Sequence, residues 1–167
     1  GLDMSNFGKM ASGERRGGAG LVDMARTSGG SNRAQHAVMV WRELPVPVIA
    51  AVHGVAFGGG FQLALGPDIR IVAPDTRMAV LEIKWGLVPD MAGFVLLRGL
   101  VRDDVARELA YTGRIFSGDE ALAMGIATRV SNDPHGDAIK LAQEIAGKNP
   151  DAVRASKRLF NLVADAD

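Results

Sequence analysis

There is no cysteine in the sequence, which excludes disulfides and thiolate chemistry and makes a reducing, cytoplasmic setting the expectation. Net charge is missing too, since 19 basic side chains balance 19 acidic ones. No broad field then draws the protein to nucleic acid or to an anionic membrane, and an anionic ligand must be held by local groups. No apolar run approaches the roughly 20 residues of a spanning helix, and the first residues lack a basic segment followed by an apolar one, so neither insertion nor export is indicated. Internal repeats are absent, and the only compositionally biased stretch is glycine-rich. What is there suits one folded core: 167 residues, 47% of them hydrophobic. The opening Gly1-Leu2-Asp3-Met4 reads as the inside of a loop without an initiator methionine, so a piece of a longer chain is expected.

Residues 8–31 hold Gly8, Gly13, Gly17, Gly18, Gly20, Gly29 and Gly30 among Ser, Arg and Lys, which predicts a loop with a short helix around Leu21 to Arg26. Ser31 is placed to cap a helix running to about Leu44, with Ala34, Val38 and Trp41 on one face. The β-branched run Pro47–Val52 predicts a strand buried on both faces and central in a parallel sheet. Gly58-Gly59-Gly60 and a short helix from Phe61 to Leu65 follow, then strand-like runs at Ile69–Ala73 and Met78–Leu81, which together form a βαβ-type crossover. Beyond Pro89 the pattern is helical near Met91–Leu100 and Asp103–Tyr111. Ser117-Gly118-Asp119-Glu120 has capping-box form and Gly125 closes that helix. A last strand is expected at Ile126–Val130. After Asp133-Pro134 come two amphipathic helices, about Gly136–Gly147 and Asp151–Ala164. The chain thus divides into an α/β core over 1–132 and a helical segment over 133–167.

Three consecutive glycines between a buried strand and a helix cost conformational entropy, so either a tight strand–helix packing or a ligand requires close approach to backbone there. Amides in the first turn of a helix lack intrahelical acceptors and can donate to a developing oxyanion, which makes Gly59 the candidate donor. Three acidic or amide side chains stand nearby in sequence: Gln62, Glu82 and Asp90. An amide cannot exchange a proton near neutral pH, but it can orient a water or a carbonyl group. Glu82 admits a solvated or ion-paired role beside Lys84, and Asp90 admits the role of N-cap for the helix after it. His53 reads as a hydrogen-bonded structural residue. His36 and His135 have no partners at ligand spacing, so no metal site is indicated.

The run Val46-Pro-Val-Ile-Ala-Ala-Val-His-Gly-Val-Ala-Phe-Gly-Gly-Gly-Phe-Gln-Leu-Ala-Leu-Gly-Pro-Asp-Ile-Arg-Ile resembles the signature of the crotonase family, the enoyl-CoA hydratase/isomerase enzymes. The likeness continues through Glu82-Ile-Lys-Trp-Gly-Leu-Val-Pro-Asp and Thr112-Gly-Arg-Ile-Phe-Ser-Gly-Asp-Glu-Ala-Leu-Ala-Met-Gly and covers most of the chain. It implies an α/β fold of stacked βαβ units with a parallel sheet, followed by a helical trimerisation segment, and strands that precede Gly1. It implies an acyl-CoA thioester substrate, with coenzyme A part of that substrate, no other cofactor and no metal. Self-assembly into a homotrimer or a dimer of trimers is implied as well.

The same resemblance places Leu2 and Gly59 as the two amides of an oxyanion hole, with Gly1, Asp3, Gly58 and Gly60 lining the substrate beside them. Gln62 falls where hydratases have their first glutamate, Glu82 where they have their second, and Asp90 where dienoyl-CoA isomerases place an aspartate. This pattern implies proton shuttling rather than hydration, with Glu82 as base and acid. Ser5 stands where some hydratases have a lysine near the CoA phosphates, which leaves Lys9, Arg15 and Arg16 as substitutes. A non-catalytic acyl-CoA-binding or scaffold protein is the competing reading, and Gln62 is its support.

Overall fold

The computed structural model describes residues 25–164. Helix α1 (Arg33–Glu43) leads to strands β1 (Ile49–Val52) and β2 (Val55–Phe57), helix α2 (Gly59–Leu65), and strands β3 (Ile69–Val72) and β4 (Arg77–Ala79). A single 3-10 turn (Glu82–Trp85) and helices α3 (Gly93–Arg98), α4 (Asp103–Thr112) and α5 (Gly118–Met124) follow. Strand β5 (Arg129–Val130) precedes the two closing helices α6 (Pro134–Ala146) and α7 (Pro150–Ala164). Among the described residues, no helix is long and apolar enough to cross a membrane.

Two parallel sheets carry the fold. In one the order is β1-β3-β5, with Ile49 opposite Ile69 and Val72 opposite Val130. In the other β2 pairs with β4, Ala56 opposite Met78. Parallel strands need a crossover, and α2 supplies it between β1–β2 and β3. This is the mixed α/β architecture the sequence implies, with two corrections. Strand β1 is not central: it is the edge of the described three-stranded sheet, half-buried along its length, and β3 takes the middle. A short apolar run fixes a strand, but its place in the sheet depends on partners far along the chain. Likewise, Met78 to Leu81 does not join β1 and β3. The strand there, β4, pairs with β2, which the sequence reading did not separate from the run before it.

Local signals were kept almost to the residue where they are self-contained. Ser117 accepts from the Glu120 amide while Glu120 reaches back to the Ser117 amide, and Gly125 ends α5 in the left-handed region at φ 90°. The cap of α1 moves by one: Asn32, not Ser31, accepts from the Gln35 amide, and the Gln35 side chain accepts from the Asn32 amide. The short helix expected around Leu21 to Arg26 falls mostly outside the described residues. Arg26 itself forms an isolated bridge with Asn32.

The core gathers Val38 of α1, Phe61 and Leu65 of α2, Val72, Met78, Val80, Leu96, Leu97, Leu109, Phe116 and Ile126. The Phe61 and Phe116 rings meet edge to face, 5.7 Å apart at 88°, a favoured aromatic geometry that seats α2. Arg70 lies in the middle strand yet is buried. Its guanidinium donates to the carbonyls of Ile126 (2.7 Å), Leu65 (3.1 Å) and Pro67 (2.6 Å), so the end of α2 is tied to the approach of β5. Burial pulls its pKa below the ordinary value, and nearby Asp68 pushes it back up.

Helix α7 is docked by polar groups. The buried ammonium of Lys157 donates to the carbonyls of Trp41 and Val46, each at 2.8 Å, and pairs with Asp68 at 2.9 Å. Asp68 also accepts from the Val48 amide, and Asn161 donates to the Arg42 carbonyl. Lys157→Met is therefore expected to destabilise the fold by about 2–3 kcal/mol, because it strands a carboxylate and two carbonyls. Urea denaturation of the two proteins measures this, and an unchanged midpoint would contradict it.

Candidate functional site

Strand β2 ends at Phe57, and Gly58 turns the chain at φ 51°, in the left-handed region, before α2 begins. The Gly58 amide is used in this turn, donating to the Ala79 carbonyl at 3.0 Å. The Gly59 amide, first in the helix, has no acceptor among the described residues. Four residues after Gly58, and so on the same helix face, stands Gln62, whose side chain leans back toward the start of α2. It is 1% exposed.

Opposite the turn lies Glu82. After β4 the chain enters its 3-10 turn, ended by Gly86 at φ 67°, and the Glu82 side chain is delivered against the glycines. Its carboxylate packs so closely on Gly58 that a Cβ there would lie 3.4 Å from Glu82 Oε1 and 3.8 Å from Oε2. Gln62 Nε2 donates to Glu82 Oε1 at 2.7 Å. Glu82 Oε2 is buried and accepts no hydrogen bond from the described residues. Neither is there an ion pair between Glu82 and Lys84 in the described part, so the ion-paired reading of this glutamate is not what the fold builds.

The other end of Gln62 answers a question left open by the sequence. Asp90 does not cap the helix that follows it. The amides of Met91 (2.8 Å) and Gly93 (3.0 Å) donate instead to Gln62 Oε1. The cap position of α3 is Ala92, at φ 69° the one non-glycine residue with positive φ among the described residues, and it has no side-chain cap bond. A left-handed alanine costs about 1–2 kcal/mol, and here it aims two amides at one oxygen. Gly93 makes the approach possible, because a Cβ there would sit 2.8 Å from Gln62 Oε1. The orientation of the amide follows from this network: rotated by half a turn, its NH2 would face two N–H donors and its oxygen a carboxylate. With its oxygen filled by two amides and one N–H given to Glu82, Gln62 has only its second N–H left to orient a water or a thioester.

Of the predicted site residues, the structure brings Gly58, Gly59, Gln62 and Glu82 into one constellation. Gly60 lies in the first turn of α2. Asp90 is exposed and accepts no hydrogen bond from the described residues. Gly1, Leu2, Asp3, Ser5, Lys9, Arg15 and Arg16 lie outside the described residues. His53, expected to be hydrogen-bonded, is exposed at the end of β1 with no such bond in the described part. Met91 and Gly93 were missed, since an amide donor carries no mark in a sequence. The smallness of Gly93 was the only available hint.

Chemically, a carboxylate oxygen and an amide that have no partner among the described residues border the same glycine turn. That pairing suits moving a proton while a carbonyl oxygen takes up charge. Ile83, Trp85, Leu87 and Val88, all between 44% and 66% exposed, follow Glu82 as an apolar rim. No group of three or more metal-ligating side chains occurs among the described residues. A recess of about 500 Å³ between β1 and α6, lined by Ile49, Ala51, Ile139 and Ile145, contains no acidic side chain and none of these candidates.

Residues 17–167 match the family model described as enoyl-CoA hydratase/isomerase. A carnitinyl-CoA dehydratase of Salmonella agona (strain SL483) is 39% identical over 125 residues, 74% of this chain and 48% of that protein. An enoyl-CoA hydratase structure from Bacillus anthracis is 35% identical with a TM-score of 0.74, covering 77% of this chain and 50% of that one. A protein of Thermobifida fusca YX solved in complex with CoA is 30% identical with a TM-score of 0.75, covering 88% and 62%. The chain spans about half the length of the curated relatives it matches.

A methyl group at position 93 tests the cradle without touching either acid. Gly93→Ala is expected to displace the Gln62 amide from its two donors at a cost of about 2 kcal/mol, which corresponds to a fall of roughly 4–8 °C in Tm. Thermal unfolding followed by circular dichroism gives the answer, and an unchanged Tm would show that the network yields freely.

Proposed function

Because the chain belongs to the enoyl-CoA hydratase/isomerase family, we propose that it acts on an acyl-CoA thioester and shifts the acyl double bond rather than adding water to it. One observation carries this reading: the first acidic position of a hydratase is here the side chain of Gln62, an amide with no proton to exchange near neutral pH, whose oxygen is filled by the Met91 and Gly93 amides and whose NH2 is turned onto Glu82. Hydration calls for groups that both position and deprotonate water. A shift of the double bond needs one base and an oxyanion site. The thioester oxygen accepts from the amides of Gly59 and Leu2. Glu82 Oε2 removes a proton from C2, the electron pair passes into the enolate, and the same oxygen returns the proton to C4, so no atom is gained or lost. One well-placed donor is typically worth about 3–4 kcal/mol in the transition state. Asp90 assists on a longer, conjugated substrate, and the apolar rim after Glu82 suits an aliphatic chain.

The names of relatives favour a second reading, in which water is added or removed: one is called a dehydratase and another a hydratase. A scaffold without turnover is less well supported, because a buried carboxylate oxygen with no partner among the described residues costs stability that a scaffold has no reason to forgo. For assembly as a homotrimer or a dimer of trimers, the supporting feature is the exposed apolar set Phe94, Val95, Phe160 and Val163, at 50–77% exposure. Residues 133–167 serve as the assembling segment.

Glu82→Gln is expected to lower kcat for a 3-enoyl-CoA by at least ~100-fold with KM little changed. A variant that isomerises at the unmodified rate would remove the centre of the reading. The intact, unmodified protein should hydrate crotonyl-CoA at least ~100-fold more slowly than it isomerises a 3-enoyl-CoA. Rapid hydration would transfer the case to the second reading.

A further inference from the structure

We propose that Gln62 is a positioning residue that withdraws one oxygen of Glu82 from the reaction and presents the other for proton transfer, while being locked by the Met91 and Gly93 amides. This rests on the reading of Glu82 as the proton carrier. Three observations converge on it. Gln62 is the one side chain bonded to the Glu82 carboxylate among the described residues, at 2.7 Å through Nε2. Its own rotation is blocked by two backbone donors on Oε1, at 2.8 and 3.0 Å. Finally, the oxygen it leaves alone, Oε2, is buried and, among the described residues, unpartnered, beside the turn whose Gly59 amide likewise finds no acceptor there.

A purely structural duty would need only half of this arrangement. Satisfying the Met91 and Gly93 amides takes an acceptor, which a glutamate supplies as well as a glutamine. The NH2 end does something else. It holds one carboxylate oxygen with a donor that has no proton to give up near neutral pH, so the pair Gln62–Glu82 contains a single exchangeable acid. Donation onto Gln62 Oε1 also polarises the amide and strengthens its hold on Glu82. A second carboxylate at position 62 would instead compete for the same proton and blur which oxygen carries it.

The test uses Gln62→Glu in the intact protein, which keeps the acceptor for the two amides and removes the proton-fixed donor. Two readouts separate this inference from the function it rests on: isomerisation of a 3-enoyl-CoA, and exchange of the C2 hydrogens of butyryl-CoA in D2O followed by NMR. Exchange requires proton abstraction by Glu82 but no shift of a double bond. A positioning role predicts a fall of about 10- to 100-fold in exchange rate and in kcat, with KM within about twofold; Tm falls as well, because a second carboxylate is buried beside Glu82. Gln62→Met, which lacks both donor and acceptor, should lose exchange to the same degree and lower Tm by orphaning the Met91 and Gly93 amides.

Exchange at the unmodified rate in Gln62→Glu overturns the inference. So does a loss in that variant accompanied by an equal rise in KM, since a part that only shapes the site would weaken binding as much as turnover. If the unmodified protein exchanges C2 hydrogens, loses this in Gln62→Glu, and yet isomerises nothing, the positioning role stands and the isomerase reading falls.

Discussion

One buried amide ties together three stretches of chain that are distant in sequence. Gln62 belongs to α2, its NH2 group reaches the 3-10 turn at Glu82, and its oxygen receives the backbone at Met91 and Gly93 where α3 begins. A buried amide carbonyl must be satisfied or it costs the protein stability. The left-handed Ala92 and the bare Gly93 are the local concessions that satisfy it. The placement of α3 and the orientation of Glu82 therefore share one cause. Neither could be altered alone without leaving a polar atom orphaned in the interior.

The remainder of the fold serves to hold α2 where this can happen. Phe61, next to Gln62, is locked by its edge-to-face contact with Phe116, and Leu65 is packed in the core. The far end of the helix is gripped by Arg70, which reaches out of the central strand to the Leu65 and Pro67 carbonyls. With one end tied to the sheet by Arg70 and the other joined to Glu82 through Gln62, the helix has little room to slide. A site on so short an element is precise because its supports are rigid.

How far the sequence reveals this depends on the distance over which each signal acts. The capping box of Ser117 and Glu120 is written within four residues and is readable as such. At α1 two adjacent residues could cap, and only Gln35, three beyond Asn32, decides between them. Strand β2 is three residues long and follows Gly54 directly, too little for a period to show. The candidate acids were legible through resemblance, whereas their wiring was not. Asp90 looked like the cap of α3 because caps are local, yet the acceptor came from a side chain 29 residues before Met91. Ala92 gives no warning of its backbone at all, since nothing in alanine asks for the left-handed region.

Helix α7 carries its own lesson. It is anchored by an ammonium and an amide that grip backbone carbonyls near α1 and β1, while Leu159, Phe160, Leu162 and Val163 remain 56–77% exposed. Attachment and surface are thus written in different residues of one helix. Carbonyls are present whatever side chains surround them, so the anchor tolerates drift in its neighbours. The outward residues can in turn be rewritten over evolutionary time without loosening the helix, which lets descendants of this chain change the company they keep and preserve the fold that bears the carboxylate.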